Sequence, residues 1–305
     1  MDVTLTESRP ELHSVPTWDS AGVSTLHGRP ARRDETAPAR RYTDRPQHAL
    51  AAEPPRIDVD LELGTAADLV VSVLGSFAFR TGERAHSLGA TTRKLLALLA
   101  LRDKPMTRLL LAGTLWPEAS DQEAAGSLRS ALWRLKPGVA DAIGVEDLDL
   151  SLAADVRVDY REAKALAHRL LDNSVPSPAV GTIPAAVAAL SVDLLPGWRD
   201  DWIVLAAEEW HQLRLHALER LSERLAAEGR WAEATSAALA AVRSEPLRET
   251  AHGALIRVFL GEGNQAEAIE QYRGYRSLLL AEVGLEPTER IGALVQNLGR
   301  RSTDR

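Results

Sequence analysis

The chain of 305 residues has no cysteine, which excludes disulfides, thiolate catalysis and cysteine-ligated zinc. Aromatic residues are few, with three Phe and four Tyr, while Ala and Leu are abundant, and that balance favours helix over sheet. No apolar run is long enough to span a membrane. The first residues, MDVTLTESRPELHSVP, lack a basic start and an apolar core, so they do not read as a secretory signal and a cytoplasmic chain is expected. A surplus of positive charge is also missing. The net charge is -7, so any contact with nucleic acid must come from a local patch.

Catalytic patterns are absent as well. There is no HExxH, no GxSxG and no Gly-rich loop ending in Gly-Lys. His211 and His216 are five residues apart, not the three or four that would align them on one helix face. Glu208 and Glu209 lie in a charged helical stretch. A non-enzyme with no catalytic residues, no metal and no cofactor is expected.

Residues 1–66 mix Pro, Ser, Thr, Ala and both charge signs without apolar periodicity and read as a disordered tail. Its loose cluster of Arg29, Arg32, Arg33, Arg40, Arg41 and Arg45 is diluted by acidic neighbours and reads as solvated surface. From Leu69 the pattern changes. Leu69–Leu74 and Phe77–Arg80 read as strands followed by a Thr81-Gly82 turn. Thr91 or Thr92 can cap a helix over Lys94–Leu101, and Thr107 a second helix ending at Trp116 before Pro117. A third helix is expected from about Glu123 to Lys136, stopped by Pro137. Leu148–Leu152 and Val156–Val158 then read as a hairpin, a candidate wing over 148–158.

The third helix carries Arg129, Arg134 and Lys136 with no acidic residue after Glu123. Leu128, Leu132 and Leu135 form an apolar stripe to be buried, leaving Ser127, Ser130, Trp133, Arg134 and Arg129 toward the open face. A basic helix is usually only a solvated face. The preceding two helices, the flanking strands and the following hairpin favour a helix-turn-helix whose last helix enters the major groove. Arg93, Lys94, Thr107 and Arg108 sit at helix starts, where backbone N–H groups favour phosphate, and Arg157 lies in the expected wing. These residues complete the DNA-binding set. Three adjacent leucines, Leu109, Leu110 and Leu111, cannot all be buried on one narrow helix face, so one is expected to face solvent.

From Asp159 onward the chain reads as helices. AEGRWAEA (227–234) returns as GEGNQAEA (261–268), an offset of 34 residues typical of tetratricopeptide units. Gly261 to Ala266 also matches a GxGxxA nucleotide fingerprint, but that motif needs a preceding strand and the pattern here is helical. Trp198, Trp202 and Trp210 read as inter-helix packing.

Several strings carry a resemblance: VSVLGSFAF, TRKLLALLAL and SLRSALWRLK in the first half, and LLPGWRDDW (194–202), LRLHALERLSERLAAEGRWAEA (213–234) and EPLRETAHGALIRVFLGEGNQAEAIEQYRGYRSLLLAEVGLEP (245–287) in the second. Over about residues 68–298 the chain resembles the Streptomyces antibiotic regulatory protein (SARP) activators. The resemblance implies a mainly α fold: an OmpR-type winged helix-turn-helix with small β-sheets over 67–158, and an all-α tetratricopeptide-like bacterial transcriptional activator domain over 159–300. Residues 301–305 would be a tail. It implies an activator that binds direct repeats in double-stranded DNA near a promoter. It also implies contact with the RNA polymerase sigma factor and alpha subunit through the loop at Glu118, Ser120 and Asp121, and self-association through the helical domain. The alternative is an adaptor that binds proteins through the helical platform, with a degenerate winged helix that no longer binds DNA. Residues 67–158 carry eleven Lys or Arg against eleven Asp or Glu, a balance that keeps this alternative open.

Overall fold

The computed structural model describes residues 69–296 and 298. The expected tails at 1–66 and 301–305, with the arginine cluster, lie outside the described residues.

The chain starts with β1 (Leu69–Ser72), whose alternate residues Leu69 and Val71 are buried. It pairs antiparallel with β2 (Ala78–Thr81), which pairs in turn with β3 (Arg84–Ala85). Gly82 makes the tight turn between them at φ 56°. α1 (Ala90–Ala100) follows, with all six residues from Leu95 to Ala100 buried. It begins four residues before the expected Lys94, capped by Gly89, so Thr91 and Thr92 lie inside the helix. β4 (Met106–Thr107) leads into α2 (Arg108–Leu115), where the Thr107 hydroxyl accepts from the Leu110 N–H at 3.2 Å.

α3 (Asp121–Trp133) packs on α2 through Ala124 and Leu128. It ends three residues before the expected Lys136. The last turn tightens as Leu135 N–H bonds the Leu132 carbonyl, and Leu135 turns in against the core. Lys136 is extended, as a residue before proline must be, and Pro137 opens the short α4 (Pro137–Ala140).

The hairpin also differs from expectation. It is β5 (Ile143–Glu146) with β6 (Asp149–Leu152), joined through Asp147 at φ 52°, and β4 completes this sheet in the order β4-β6-β5. Residues 157–158 are not its second strand. β7 (Arg157–Val158) runs parallel to β1 at the edge of the other sheet, in the order β3-β2-β1-β7. Three helices with a hairpin after the third, between two small sheets, form a winged helix-turn-helix.

The rest is helical. α5 (Asp159–Leu171) and α6 (Ile183–Leu190) precede the long α7 (Asp201–Ala227). Then come α8 (Trp231–Ser244), α9 (Glu249–Glu262), α10 (Gln265–Val283) and α11 (Glu289–Val295). The repeat is realised in three dimensions. Gly229 and Gly263 turn the chain with φ of 74° and 93°, and α8 and α10 start 34 residues apart. Because α9 rather than a strand precedes Gly263, the nucleotide fingerprint has no structural basis. Gly261 serves packing: a Cβ there would stand 2.6 Å from the Trp231 ring.

One apolar core runs from Leu69 of β1 to Val258 of α9, so the winged helix and the helical domain share their interior. Trp210 is buried edge-on to Tyr160 and donates its indole N–H to the Val192 carbonyl at 2.9 Å, while Trp198 lies against Phe77. Polar links reinforce this core. The Asp159 carboxylate accepts the N–H groups of Val73 at 2.9 Å and Leu74 at 3.3 Å. Gly75 N–H donates to the Asp193 carbonyl and Leu195 N–H to the Val73 carbonyl. Arg161 donates to the carbonyls of Leu99, Ala100 and Arg102, the C-terminal end of α1.

Candidate nucleic-acid interface

α3 owes its start to a capping box. The Ser120 hydroxyl meets the Glu123 N–H, while the Glu123 carboxylate accepts the Ser120 N–H at 3.0 Å and its hydroxyl at 2.7 Å. These bonds hold the Glu123 carboxyl below its ordinary pKa. Ser120 and Glu123 therefore cap the start of the helix. Glu118 and Asp121, beside them, are exposed.

Ala124 and Leu128 mark the buried line of α3. At about 100° per residue, the opposite line runs through Gly126 and then close to Ser130 and Trp133. Arg129, Ser130, Trp133 and Arg134 line one open recess. Trp133 is 87% exposed, the most exposed large apolar side chain among the described residues. The Arg129 guanidinium folds to 3.9 Å from where a Cβ of Gly126 would stand. Ser127 is half-buried at the side, and Arg134 and Lys136, both exposed, follow the helix end. Gln122, exposed in the first turn, shares the outward face. Sequence reasoning missed it by starting the helix at Glu123.

The remaining candidates do not converge on this face. Lys94 is bonded to Asp200 at 2.5 Å, which ties it to the head of α7. Arg157 forks onto Glu162 at 2.6 and 3.0 Å within β7 and the start of α5. Thr107 is a helix cap. Arg108 is half-buried and its N–H donates to the Leu148 carbonyl at the hairpin turn. Arg93 is exposed in the first turn of α1. Two of the three adjacent leucines, not one, face outward: Leu109 and Leu110 are exposed and Leu111 is buried.

The hairpin has the wrong charge for phosphate. From Ile143 to Leu152 it carries Glu146, Asp147 and Asp149 and no Lys or Arg. Val145 and Leu148 are exposed at its tip, beside the start of α2. Among the described residues no cluster of three His, Cys, Asp or Glu could hold a metal ion, and no helix is long and apolar enough to cross a membrane.

Residues 155–298 match the bacterial transcriptional activator domain. The regulatory protein AfsR of Streptomyces griseus is 29% identical over 250 residues, covering 77% of this chain and 25% of that protein. AfsR of Streptomyces coelicolor is 28% identical over 235 residues, covering 72% and 23%. The chain is thus similar to these regulators over most of its length, and its second half carries the match to the activator domain. The chain spans about a quarter of the length of those two relatives. In fold it is similar to Mycobacterium tuberculosis EmbR, solved in complex with a low affinity phosphopeptide. The TM-score is 0.56 at 21% identity, with 77% of this chain and 65% of that one covered. The winged helix followed by a helical domain is thus a shared architecture.

Proposed function

We propose that the chain is a non-enzymatic, cytoplasmic transcriptional activator that reads direct repeats in promoter DNA with the outward face of α3 and recruits RNA polymerase. The observation that carries this reading is that face itself. Arg129, Ser130, Trp133 and Arg134 share one open recess with no acidic side chain past Glu123, on a helix fixed from behind by its packing on α2. Arg can pair bidentately with guanine and Ser with base edges or phosphate. Gln122 adds an amide that suits adenine. Lys136 and Arg93 are the exposed cations for flanking phosphates. Lys94 and Arg157 leave the reading set because carboxylates of the helical domain hold them. The loop at Glu118 and Asp121 is the surface for the polymerase sigma factor and alpha subunit, with Ser120 shaping it through its cap. The helical domain supports two copies on a repeat.

A second reading, a protein-binding adaptor with a degenerate winged helix, draws on the acidic hairpin beside exposed Leu109, Leu110, Val145 and Leu148. Selection of bound fragments from genomic DNA separates the two. Recovery of spaced direct repeats by the wild-type chain, lost in Arg129→Ala/Arg134→Ala, supports the activator. No enrichment at low salt by folded protein supports the adaptor.

A further inference from the structure

We propose that Trp133 makes α3 selective for thymine, by packing its ring on the C5-methyl group in the major groove. The inference rests on the DNA-reading role of α3 proposed above. Trp133 stands close to the line opposite the buried Ala124 and Leu128, nearer the centre of the outward face than Arg129. It is 87% exposed, and no aromatic partner or hydrogen bond holds it among the described residues. Its neighbours along the same line, Gly126 and Ser130, are small, so once the Arg129 guanidinium swings from beside Gly126 the helix backbone can approach a groove floor closely. Arg129 and Arg134 flank it in the same recess and attract a polyanion to it.

The chemistry of the indole then selects among the bases. Its ring is apolar and its N–H donates but cannot accept. In the major groove only thymine offers both a methyl group and an acceptor, O4. Cytosine offers a donor, which an indole cannot satisfy. A tryptophan between two guanidinium groups therefore fits a thymine next to bases or phosphates engaged by Arg129 and Arg134.

The test uses the full chain and short duplexes carrying a site recovered from genomic DNA. Each thymine is replaced singly by deoxyuridine, which removes the methyl and leaves pairing and O4 intact. The wild-type chain should lose about four-fold in affinity at one thymine per half-site, the worth of burying one methyl. Trp133→Ala should bind more weakly and show no loss at that position. Trp133→Phe, which keeps an aromatic face, should retain it. Selective binding that depends on Arg129 and Arg134 but ignores every deoxyuridine overturns the Trp133 assignment alone. So does a methyl effect that persists in Trp133→Ala. Failure of the folded wild-type chain to select any DNA overturns the reading of α3, and this inference with it.

Discussion

Arg161 of α5 closes the C-terminal end of α1 by donating to the Ala100 carbonyl at 3.0 Å, with further bonds to Leu99 at 2.9 Å and Arg102 at 2.6 Å. The last carbonyls of a helix lack intrahelical partners, and a cation there also opposes the helix dipole. One guanidinium from the helical domain thus completes a helix of the winged helix. Arg161→Ala should lower unfolding free energy by about 2–3 kcal/mol. Arg161→Lys should recover little, because a point charge cannot fork across three carbonyls. Urea unfolding of both variants measures this. A lysine variant as stable as wild type would refute the role of the fork.

The tetratricopeptide-like repeat was legible because Gly229 and Gly263 both need positive φ, and such a requirement is visible in sequence. The three helices of the winged helix were legible from their apolar stripes. The hairpin was not. Its turn passes through Asp147 at φ 52° with no glycine or asparagine to announce it, and Ile143–Glu146 holds a glycine that masks the strand. The charged residues show the deeper limit. Lys94 and Arg157 looked like free cations in sequence: Asp200 is 106 residues from Lys94, which no local pattern reports, while Glu162 is only five residues from Arg157 but was hidden by assigning Arg157 to the wing.

Gly261 lies in α9 with space for no side chain, since a Cβ would stand 2.6 and 2.7 Å from the Trp231 ring. In an open helix Gly→Ala gains up to about 1 kcal/mol. Here Gly261→Ala should instead destabilise by about 1–2 kcal/mol as the ring is forced from its seat. In a Trp231→Leu background the same change should be neutral or stabilising. Thermal melting of the four proteins gives the coupling. Stabilisation by Gly261→Ala in the wild-type background would contradict the close packing.

Asp159 sits where β1, β7 and α5 meet. Burial pushes its carboxyl up from 3.8 to about 6, against the lowering effect of the N–H groups of Val73, Leu74 and Tyr160. A raised carboxyl pKa means that the folded state holds the proton more tightly than the unfolded chain. Its contribution is therefore full below about pH 4 and is lost as pH rises through about 6. Asp159→Asn cannot titrate. The amide also misplaces one donor, so the two proteins differ at every pH. The informative quantity is the slope. Wild-type stability minus that of Asp159→Asn should fall by on the order of 2–3 kcal/mol between pH 4 and 7 and be flat outside that window. A flat difference throughout would mean that the three N–H bonds offset the burial.

The hairpin argues for its own experiment, because its acidity and the basic face of α3 pull in opposite directions. A wing beside a groove normally adds phosphate contacts, and Glu146, Asp147 and Asp149 can only repel them. Binding should therefore rest on α3 and show a shallow salt dependence. Glu146→Lys/Asp149→Lys should turn repulsion into two new contacts. Asp147 is kept because its φ of 52° suits aspartate better than lysine. Non-specific affinity for duplex DNA at low salt should rise by roughly tenfold or more, and the slope of log K against log salt should steepen by up to about two. The melting temperature of the double variant controls for damage to the strand. An unchanged slope would place the hairpin away from the duplex. The exposed Val145 and Leu148, with the neighbouring Leu109 and Leu110, would then be better read as a surface for a basic, apolar protein partner.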